Sequence, residues 1–295
     1  MILTRRILLN AIGTSLLAGP VLAQAANTAP ADFKGKVFVT ERGGVRVHTY
    51  MADPAGALVT SHLVETQAGL VLVDGQFVAA SAQELKRYIA SLGRPVTRVI
   101  LSHMHPDHWF GLAHAGFEQV HAGPVTAKFI TERGAALVAE RKVETRVPAI
   151  AGTIAAGDET IGGVVFRYRP ILDTEAPEIL TIELPQAGIL IAQDVVYNKV
   201  HAVVSRQLDQ WVAALKAIET RAGEMPVILP GHGEPTAPAS LAGLVGYLQA
   251  VKPLLVANIG KEDQAKAITE EIARAFPDYR IPPLLTLGLS RALKA

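Results

Sequence analysis

Three histidines and an aspartate stand within six consecutive positions near the middle of the chain. His103, His105, Asp107 and His108 belong to the segment SHMHPDHWFG, directly after a stretch that predicts a strand. Side chains two apart on extended backbone point to the same side, so His103 and His105 can bind one cation. Asp107 and His108 follow where the chain turns toward a helix and can face a second cation. Imidazole nitrogen and carboxylate oxygen are ligands that borderline divalent metals accept, so the segment predicts a metal site.

The alternative interpretation is a histidine-rich loop that is hydrogen-bonded to its surroundings or lies on the surface. A lone histidine would favour that interpretation. The compact cluster favours metal binding, because so many imidazoles packed together would otherwise leave unpaired polar groups.

The elements that must position this cluster alternate between strands and helices along the chain. Strands are predicted at 36–40, 45–51, 57–64, 69–74, 98–101, 160–169, 179–184, 188–191 and 227–229. Helices are predicted at 81–91, 124–142 and 207–221 and in most of the tail after Ser240, with breaks at Pro253 and Pro277. The tight connections of the first strands indicate an antiparallel sheet. The repeated order of strands, helix, strand and helix predicts an α/β protein with two sheets and helices outside.

Composition excludes several classes of chemistry. The 295 residues include no cysteine, which removes disulfides, thiolate ligands and cysteine nucleophiles. Lys and Arg number 28 against 27 Asp and Glu, so no basic excess predicts a nucleic-acid partner. No repeat or long linker interrupts the chain, so a single domain is predicted over 26–295, with a helical tail from about 240 to 295.

Residues 1–25 predict a signal peptide. Arg5 and Arg6 precede an apolar stretch, and the segment Ala23-Gln24-Ala25 has the small-x-small pattern of a cleavage site. The segment also resembles a twin-arginine export signal. The stretch is short and interrupted for a membrane anchor, so we expect a periplasmic or secreted protein without a stable anchor after cleavage. Cleavage removes two arginines and no acidic residue, which leaves a net charge of −1.

The cluster HxHxDH at 103–108 resembles the signature of the metallo-β-lactamase superfamily. Three further segments resemble superfamily segments in the expected order, namely LVDG at 72–75, AQD at 192–194 and PGHG at 230–233. The resemblance covers roughly residues 36–235. It implies a four-layered αβ/βα sandwich, with two mixed sheets inside, helices outside and a metal site at one edge of the sheets.

One ligand departs from the superfamily pattern. The usual third histidine of the first metal stands in a segment resembling GHTPGS, but the matching stretch here, at 173–179, is DTEAPEI. Alignment of Ala-Pro with Thr-Pro places Glu175 at the histidine position, and TEAP resembles the branch that contains secreted alkylsulfatases. Two alternatives remain: Glu178 as the substitute, or an acidic surface loop beside an incomplete first site.

The resemblance implies a centre with two divalent cations. His103, His105 and Glu175 would bind the first, Asp107, His108 and His232 the second, and Asp194 would bridge them. Zinc is the expected metal, with manganese or iron as alternatives because the ligand set is rich in oxygen. Two adjacent cations lower the pKa of a shared water, so a metal-bound hydroxide would attack the substrate and Asp107 would orient it.

Two more residues are candidates for substrate contact. His201 follows Asp194 by seven positions, where similar family members carry a histidine facing the substrate; a solvent-exposed loop histidine is the alternative. Trp109 directly follows the ligands and can wall an apolar substrate pocket, with core packing as the alternative.

The expected function is an exported dinuclear metal hydrolase acting on a small ester, lactone, amide or sulfate ester. One alternative is a di-iron redox enzyme of the same superfamily, and another is a non-catalytic periplasmic protein that binds a metal or ligand. The expected partner is a small-molecule substrate and not nucleic acid, and the sequence leaves the oligomeric state open.

Overall fold

A computed structural model describes residues 26–294, so the predicted signal peptide at 1–25 lies outside the described residues. Seven strands form the first sheet in the order of the chain: β1 Lys36–Arg42, β2 Val45–Met51, β3 Thr60–Thr66, β4 Gly69–Val73, β5 Val96–Leu101, β6 Gln119–Ala122 and β7 Ala149–Thr153. Pairing is antiparallel from β1 to β4, as the tight connections predicted, and parallel from β4 to β7.

The second sheet contains five strands in the order β12-β11-β10-β9-β8. They are β8 Gly157–Ile161, β9 Val164–Leu172, β10 Glu178–Leu184, β11 Ile189–Tyr197 and β12 Val227–His232. Only the β11–β12 pair is parallel. The helices are α1 Ala79–Ser91, α2 Leu112–Ala115, α3 Pro124–Arg141, α4 Leu208–Glu219, α5 Leu241–Ala257, α6 Ala265–Ala275 and α7 Pro282–Ala292.

The alternation of side chains along β4 shows how the layers form. Val71 and Val73 pack between the two sheets, against residues such as Phe166. Leu70 and Leu72 point to the other face of the sheet and pack with α1 and α3. Successive residues of a strand face opposite sides, so β4 is buried on both faces.

The second sheet is covered in the same way by the C-terminal half of the chain. Trp211 of α4, Tyr247 of α5 and Leu285 of α7 pack in one cluster with residues of β11 such as Ala192. The result is helices, sheet, sheet and helices, which confirms the predicted four-layered α/β sandwich.

Some local predictions were wrong. The strand predicted at 160–169 is a hairpin of β8 and β9, because Gly162 and Gly163 turn the chain with φ of 52° and 84°. The strand predicted at 57–64 begins only at Thr60. Strands β6 and β7, which are short, were not predicted.

The predicted break at Pro253 was also wrong. Pro253 lies inside α5, which continues to Ala257 because Val251 and Leu255 on either side of it are buried in the core. Among the described residues, 238–257 is long and apolar enough to span a membrane, with a mean hydropathy of 1.4. Its buried side chains, such as those of Leu244 and Leu248, pack in the core, while other positions of the helix are exposed. Pro277 does separate α6 from α7.

The strand ends converge at one edge of the sandwich. Strands β4 and β5 run parallel and end side by side, as do β11 and β12 in the facing sheet. The two sheets are joined there by a bridge between Val59 and His232. The Thr60 hydroxyl also donates to the Pro230 carbonyl across the same junction, at 2.5 Å. This edge therefore collects the side chains that follow several strands.

Candidate metal centre

Seven side chains from four separate stretches meet at this edge. His103 and His105 follow β5, and Asp107 and His108 stand in the short 3₁₀ turn 106–108 that comes next. The other three residues come from the second sheet: Glu175 lies in the β9–β10 connection, Asp194 in β11, and His232 at the end of β12.

The first group is formed by His103, His105, Glu175 and Asp194, which offer ligand atoms within 4.8 Å of one another. His105 Nδ1 lies 2.7 Å from Glu175 Oε1. His103 Nε2 lies 3.8 Å from Glu175 Oε2 and 3.6 Å from Asp194 Oδ2. Glu175 is buried and faces the histidines, so the alternative of an exposed acidic loop does not describe its position.

The second group is formed by Asp107, His108, Asp194 and His232. His232 Nε2 lies 3.3 Å from both Asp107 Oδ2 and Asp194 Oδ2. His108 Nε2 lies 3.1 Å from Asp194 Oδ1. Asp194 belongs to both groups, which is where the family resemblance would put a bridging carboxylate.

The facing atoms lie close to one another, but among the described residues none of them makes a well-formed hydrogen bond. They are Nε2 of His103, His108 and His232, both carboxylate oxygens of Glu175, and Oδ1 of Asp194. Buried polar atoms are normally paired, so this concentration of unpaired atoms needs a partner. Tetrahedral ligands about 2.1 Å from a zinc ion stand about 3.4 Å apart, which is close to the separations found here. The residues therefore fit divalent cations.

Hydrogen bonds on the far side of each ring determine which nitrogen faces the centre. His108 Nδ1 donates to Asp74 Oδ2 at 2.7 Å, and His232 Nδ1 donates to the Ala57 carbonyl at 2.9 Å. The Ser102 hydroxyl donates to Asp74, so it accepts from His103 Nδ1 at 2.9 Å. With each Nδ1 engaged in this way, Nε2 is the nitrogen available to a cation.

The carboxylate of Asp194, which the two groups share, is held from its other side. The Tyr197 hydroxyl donates to Asp194 Oδ2 at 2.7 Å, and the Tyr197 ring stacks on His232 with centroids 4.6 Å apart. Tyr197 is itself buried beside Trp211. Two residues of the second group, Asp194 and His232, are therefore oriented by one aromatic side chain.

The carboxylates raise the affinity of two imidazoles for protons. Burial lowers the pKa of His232, but Asp194 and Asp107 raise it more, to about 10. The pKa of His108 is likewise lowered by burial and raised well above its ordinary value, mainly by Asp194. Burial dominates for His103, whose pKa falls well below its ordinary value. A cation that binds here therefore displaces protons from His108 and His232.

The pKa values of the carboxylates Glu175 and Asp194 are shifted in opposite directions. Burial raises the pKa of Glu175 in spite of the adjacent His105. Burial also acts to raise the pKa of Asp194, but the imidazoles of His108, His232 and His103 hold it well below its ordinary value. Asp194 is therefore the more stable anion at the shared position between the groups.

Glu178, the other candidate for the missing ligand, has a different role. Its Oε2 accepts hydrogen bonds from the backbone N–H groups of Val125 and Thr126, both at 3.1 Å. The side chain therefore caps the first turn of α3, where a carboxylate is favourable.

A cavity of about 230 Å³ opens beside the centre. Its polar lining consists of His105, Asp107 and two arginines, Arg141 and Arg291. The remaining lining residues are apolar: Ala57, Phe77, Pro106, Phe110, Val143, Val203, Leu284 and Leu287. Asp107 is thus the carboxylate of the centre that a molecule in the cavity would meet.

The two predicted substrate residues are placed elsewhere. Trp109 is fully buried in the core with α1 and α3, and its indole donates to the Met104 carbonyl at 3.1 Å, so Phe110 and not Trp109 lines the cavity. His201 is also buried, with its ring against Tyr247 and Tyr279 at centroid distances of 5.7 and 5.8 Å.

Other residues of the site were missed by sequence reasoning. Tyr197 stands three positions after Asp194, and this short spacing is a local signal for its place beside the centre. Arg141 and the cavity residues of α7 have no such signal, because only the packing of α3 and α7 places them at the edge where β5 ends.

A family model described as the metallo-beta-lactamase superfamily matches residues 56–232. This range contains all seven side chains of the two groups, and it ends before α5. It also contains Asp74, which orients His108.

One curated relative is a linear primary-alkylsulfatase from Pseudomonas sp. (strain ATCC 19151). It is 27% identical over 220 residues, which cover 59% of this chain and 41% of the alkylsulfatase. The chain therefore spans less than half the length of this relative.

Solved structures show the same fold. A beta-lactamase domain protein from Burkholderia ambifaria matches with a TM-score of 0.66 and 23% identity, over 92% of this chain and 91% of that one. A stereoselective inverting sec-alkylsulfatase from Pseudomonas sp. matches with a TM-score of 0.55 and 17% identity, over 83% of this chain and 48% of the other.

Proposed function

Because the chain belongs to the metallo-beta-lactamase superfamily, we propose that it is a hydrolase that binds two divalent cations and cleaves a small ester, lactone, amide or sulfate ester. The observation that carries the proposal is the convergence of unpaired, buried nitrogen and oxygen atoms in two groups that share Asp194. Zinc is the proposed metal, and manganese or iron are alternatives because three of the seven ligands are carboxylates.

The cations would supply Lewis acidity and water of lowered pKa near neutral pH. The chain's own residues divide the remaining tasks. Asp194 holds the two groups at one distance, because it is fixed by Tyr197 and His108. Asp107 is 15% exposed toward the cavity, so it can accept a hydrogen bond from water or substrate beside the centre.

Within this class, sulfate esters of apolar alcohols are favoured. The curated relative is an alkylsulfatase, and the cavity beside Asp107 is mainly apolar with two guanidinium groups. An apolar lining accommodates an alkyl group, and arginine is suited to sulfate oxygens.

The test is a substrate panel on the purified full chain, metal-stripped and then loaded with zinc, manganese or iron. The panel contains 4-nitrophenyl acetate, a lactone, nitrocefin, 4-nitrophenyl sulfate and decyl sulfate. We expect metal-dependent hydrolysis of at least one ester class. Equal turnover in stripped and loaded protein would contradict the proposal, and elemental analysis with a visible spectrum separates zinc hydrolysis from di-iron redox chemistry.

Replacement of Glu175 tests the first group. In Glu175→Gln, we expect the metal content to fall from two cations to one per chain and the affinity of the lost site to drop at least about tenfold, since a neutral amide replaces an anionic ligand. Metal titration of the stripped protein measures both quantities. Glu178→Gln is the matched control and should keep two cations, because its side chain caps α3. Two tight cations in Glu175→Gln would contradict the assignment.

Metal affinity should depend on pH. The raised pKa values of His108 and His232 mean that both imidazoles are protonated in the metal-free protein near neutrality, so the cation of the second group must displace protons. Zinc affinity is therefore expected to rise with pH and to weaken as the pH falls from about 8 to about 6. Calorimetry in buffers of different ionisation enthalpy measures the released protons. A zinc affinity that stays constant across this pH range, together with no release of protons on binding, would refute the expectation.

A further inference from the structure

Two arginines lie at the mouth of the cavity without a direct ion-pair partner. Arg141 is the last residue of α3, and Arg291 stands in the last turn of α7. Both line the cavity that contains His105 and Asp107. Within residues 26–294, neither guanidinium makes a direct ion pair or a hydrogen bond. An unpaired pair of cations beside a partly enclosed cavity is suited to an anionic ligand.

The two guanidinium groups also affect each other. Burial lowers the pKa of Arg291 and repulsion from Arg141 lowers it further, while the more distant carboxylates of Glu175 and Asp107 only partly offset this. The pair is therefore close enough to interact electrostatically. An anion bound between the two guanidinium groups would offset this repulsion. The two arginines therefore favour a negatively charged ligand.

Apolar surface lies next to each arginine. Leu284, Leu287 and Arg291 are spaced i, i+3 and i+7 on α7, so they share the face of that helix that lines the cavity. Leu287 is 36% exposed, and Val143, two residues after Arg141, is 37% exposed. Exposed aliphatic side chains at a cavity mouth favour an apolar ligand chain.

We propose that Arg141 and Arg291 determine specificity by binding an oxyanion that is attached to an apolar chain, while the wall formed by Phe77, Phe110 and Leu284 contacts the apolar part. Phe77 and Phe110 stack within that wall, with ring centroids 6.3 Å apart. This inference rests on the proposed function, namely that the bound molecule is a substrate that the protein hydrolyses. Helix α7 lies outside the range 56–232, so this chain's own C-terminal segment supplies half of the anion site.

The oxyanion could come from either of two kinds of substrate. It could be the sulfate group of a sulfate ester, or a carboxylate elsewhere on a carboxylic ester. Hydrolysis of 4-nitrophenyl sulfate and mono-4-nitrophenyl glutarate is compared with hydrolysis of neutral 4-nitrophenyl valerate. In Arg141→Gln and Arg291→Gln, the ratio of kcat/KM for the anionic to the neutral ester is expected to fall at least about tenfold, mainly through KM. The ester whose ratio falls identifies the source. Arg133→Gln, on the exposed side of α3, is the matched control and should keep the ratio.

A binding measurement separates this inference from the hydrolase proposal. Calorimetry with octyl sulfate, octanoate and neutral octyl glucoside is performed on the protein as purified, below the micellar concentrations. We expect at least one anion to bind at least about tenfold more tightly than the glucoside, with the difference lost in both arginine variants. Anion preference without turnover would contradict the hydrolase proposal alone. Equal affinity for anionic and neutral ligands, or unchanged ratios in the variants, would overturn the role of the arginines.

Discussion

Asp107→Asn is expected to lower kcat/KM at least about a hundredfold for whichever ester the protein hydrolyses, with the fold retained. The substitution keeps the size of the side chain but removes the charge that faces His232 Nε2 at 3.3 Å and the cavity. An amide binds a cation more weakly than a carboxylate and cannot accept a proton from water. Steady-state kinetics at saturating zinc measures the loss, and circular dichroism measures the fold.

The control for this experiment is Asp209→Asn. Asp209 is exposed, pairs with Lys252 at 2.6 Å and lies on α4. It should retain full turnover and two cations. Turnover within about threefold of wild type in Asp107→Asn would show that this carboxylate does not act at the centre.

Gly231→Ala is expected to disrupt the centre through packing. A Cβ at this position would lie 1.8 Å from Asp194 Oδ1 and 2.8 Å from the Asp194 backbone nitrogen, so either β12 or the bridging carboxylate must move. Overpacking of this kind destabilises by about 2–3 kcal/mol. We expect the melting temperature to fall by about 4–10 °C and metal binding to be weakened at both groups, because Asp194 belongs to both.

Thermal unfolding and metal titration measure the two effects. The matched control is Gly223→Ala, because a Cβ at Gly223 would meet no heavy atom within 4 Å. It should unfold within about 1–2 °C of wild type, the range of ordinary surface substitutions. Unchanged stability and unchanged metal content in Gly231→Ala would mean that Asp194 is not held against β12 in solution.

The local parts of the site could be predicted because they depend on spacing along short segments. His103 and His105 are two residues apart after a strand, and the 3₁₀ turn at 106–108 turns the next two side chains toward the same edge. Glu175 could be predicted only through the register of TEAP against the superfamily pattern. The structure places it, and not Glu178, against the histidines.

Errors arose where local preference and tertiary packing disagree. Pro253 disfavours a helix, yet α5 continues through it because Val251 and Leu255 are buried on both sides. Trp109 and His201 have the chemistry of substrate contacts, but their environment is set by distant segments, and both are buried.

The sequence by itself determined the types and order of the side chains that cluster at the site and the alternation of apolar residues that forms two sheets, because these depend on residues a few positions apart. Only the tertiary structure decided which side chains surround the cavity. Arg141 and Arg291 are 150 positions apart, and no pattern along the chain relates them. They lie at one cavity mouth because α3 covers one sheet and α7 covers the other, and both helices end at the edge where the strands that position the ligands also end.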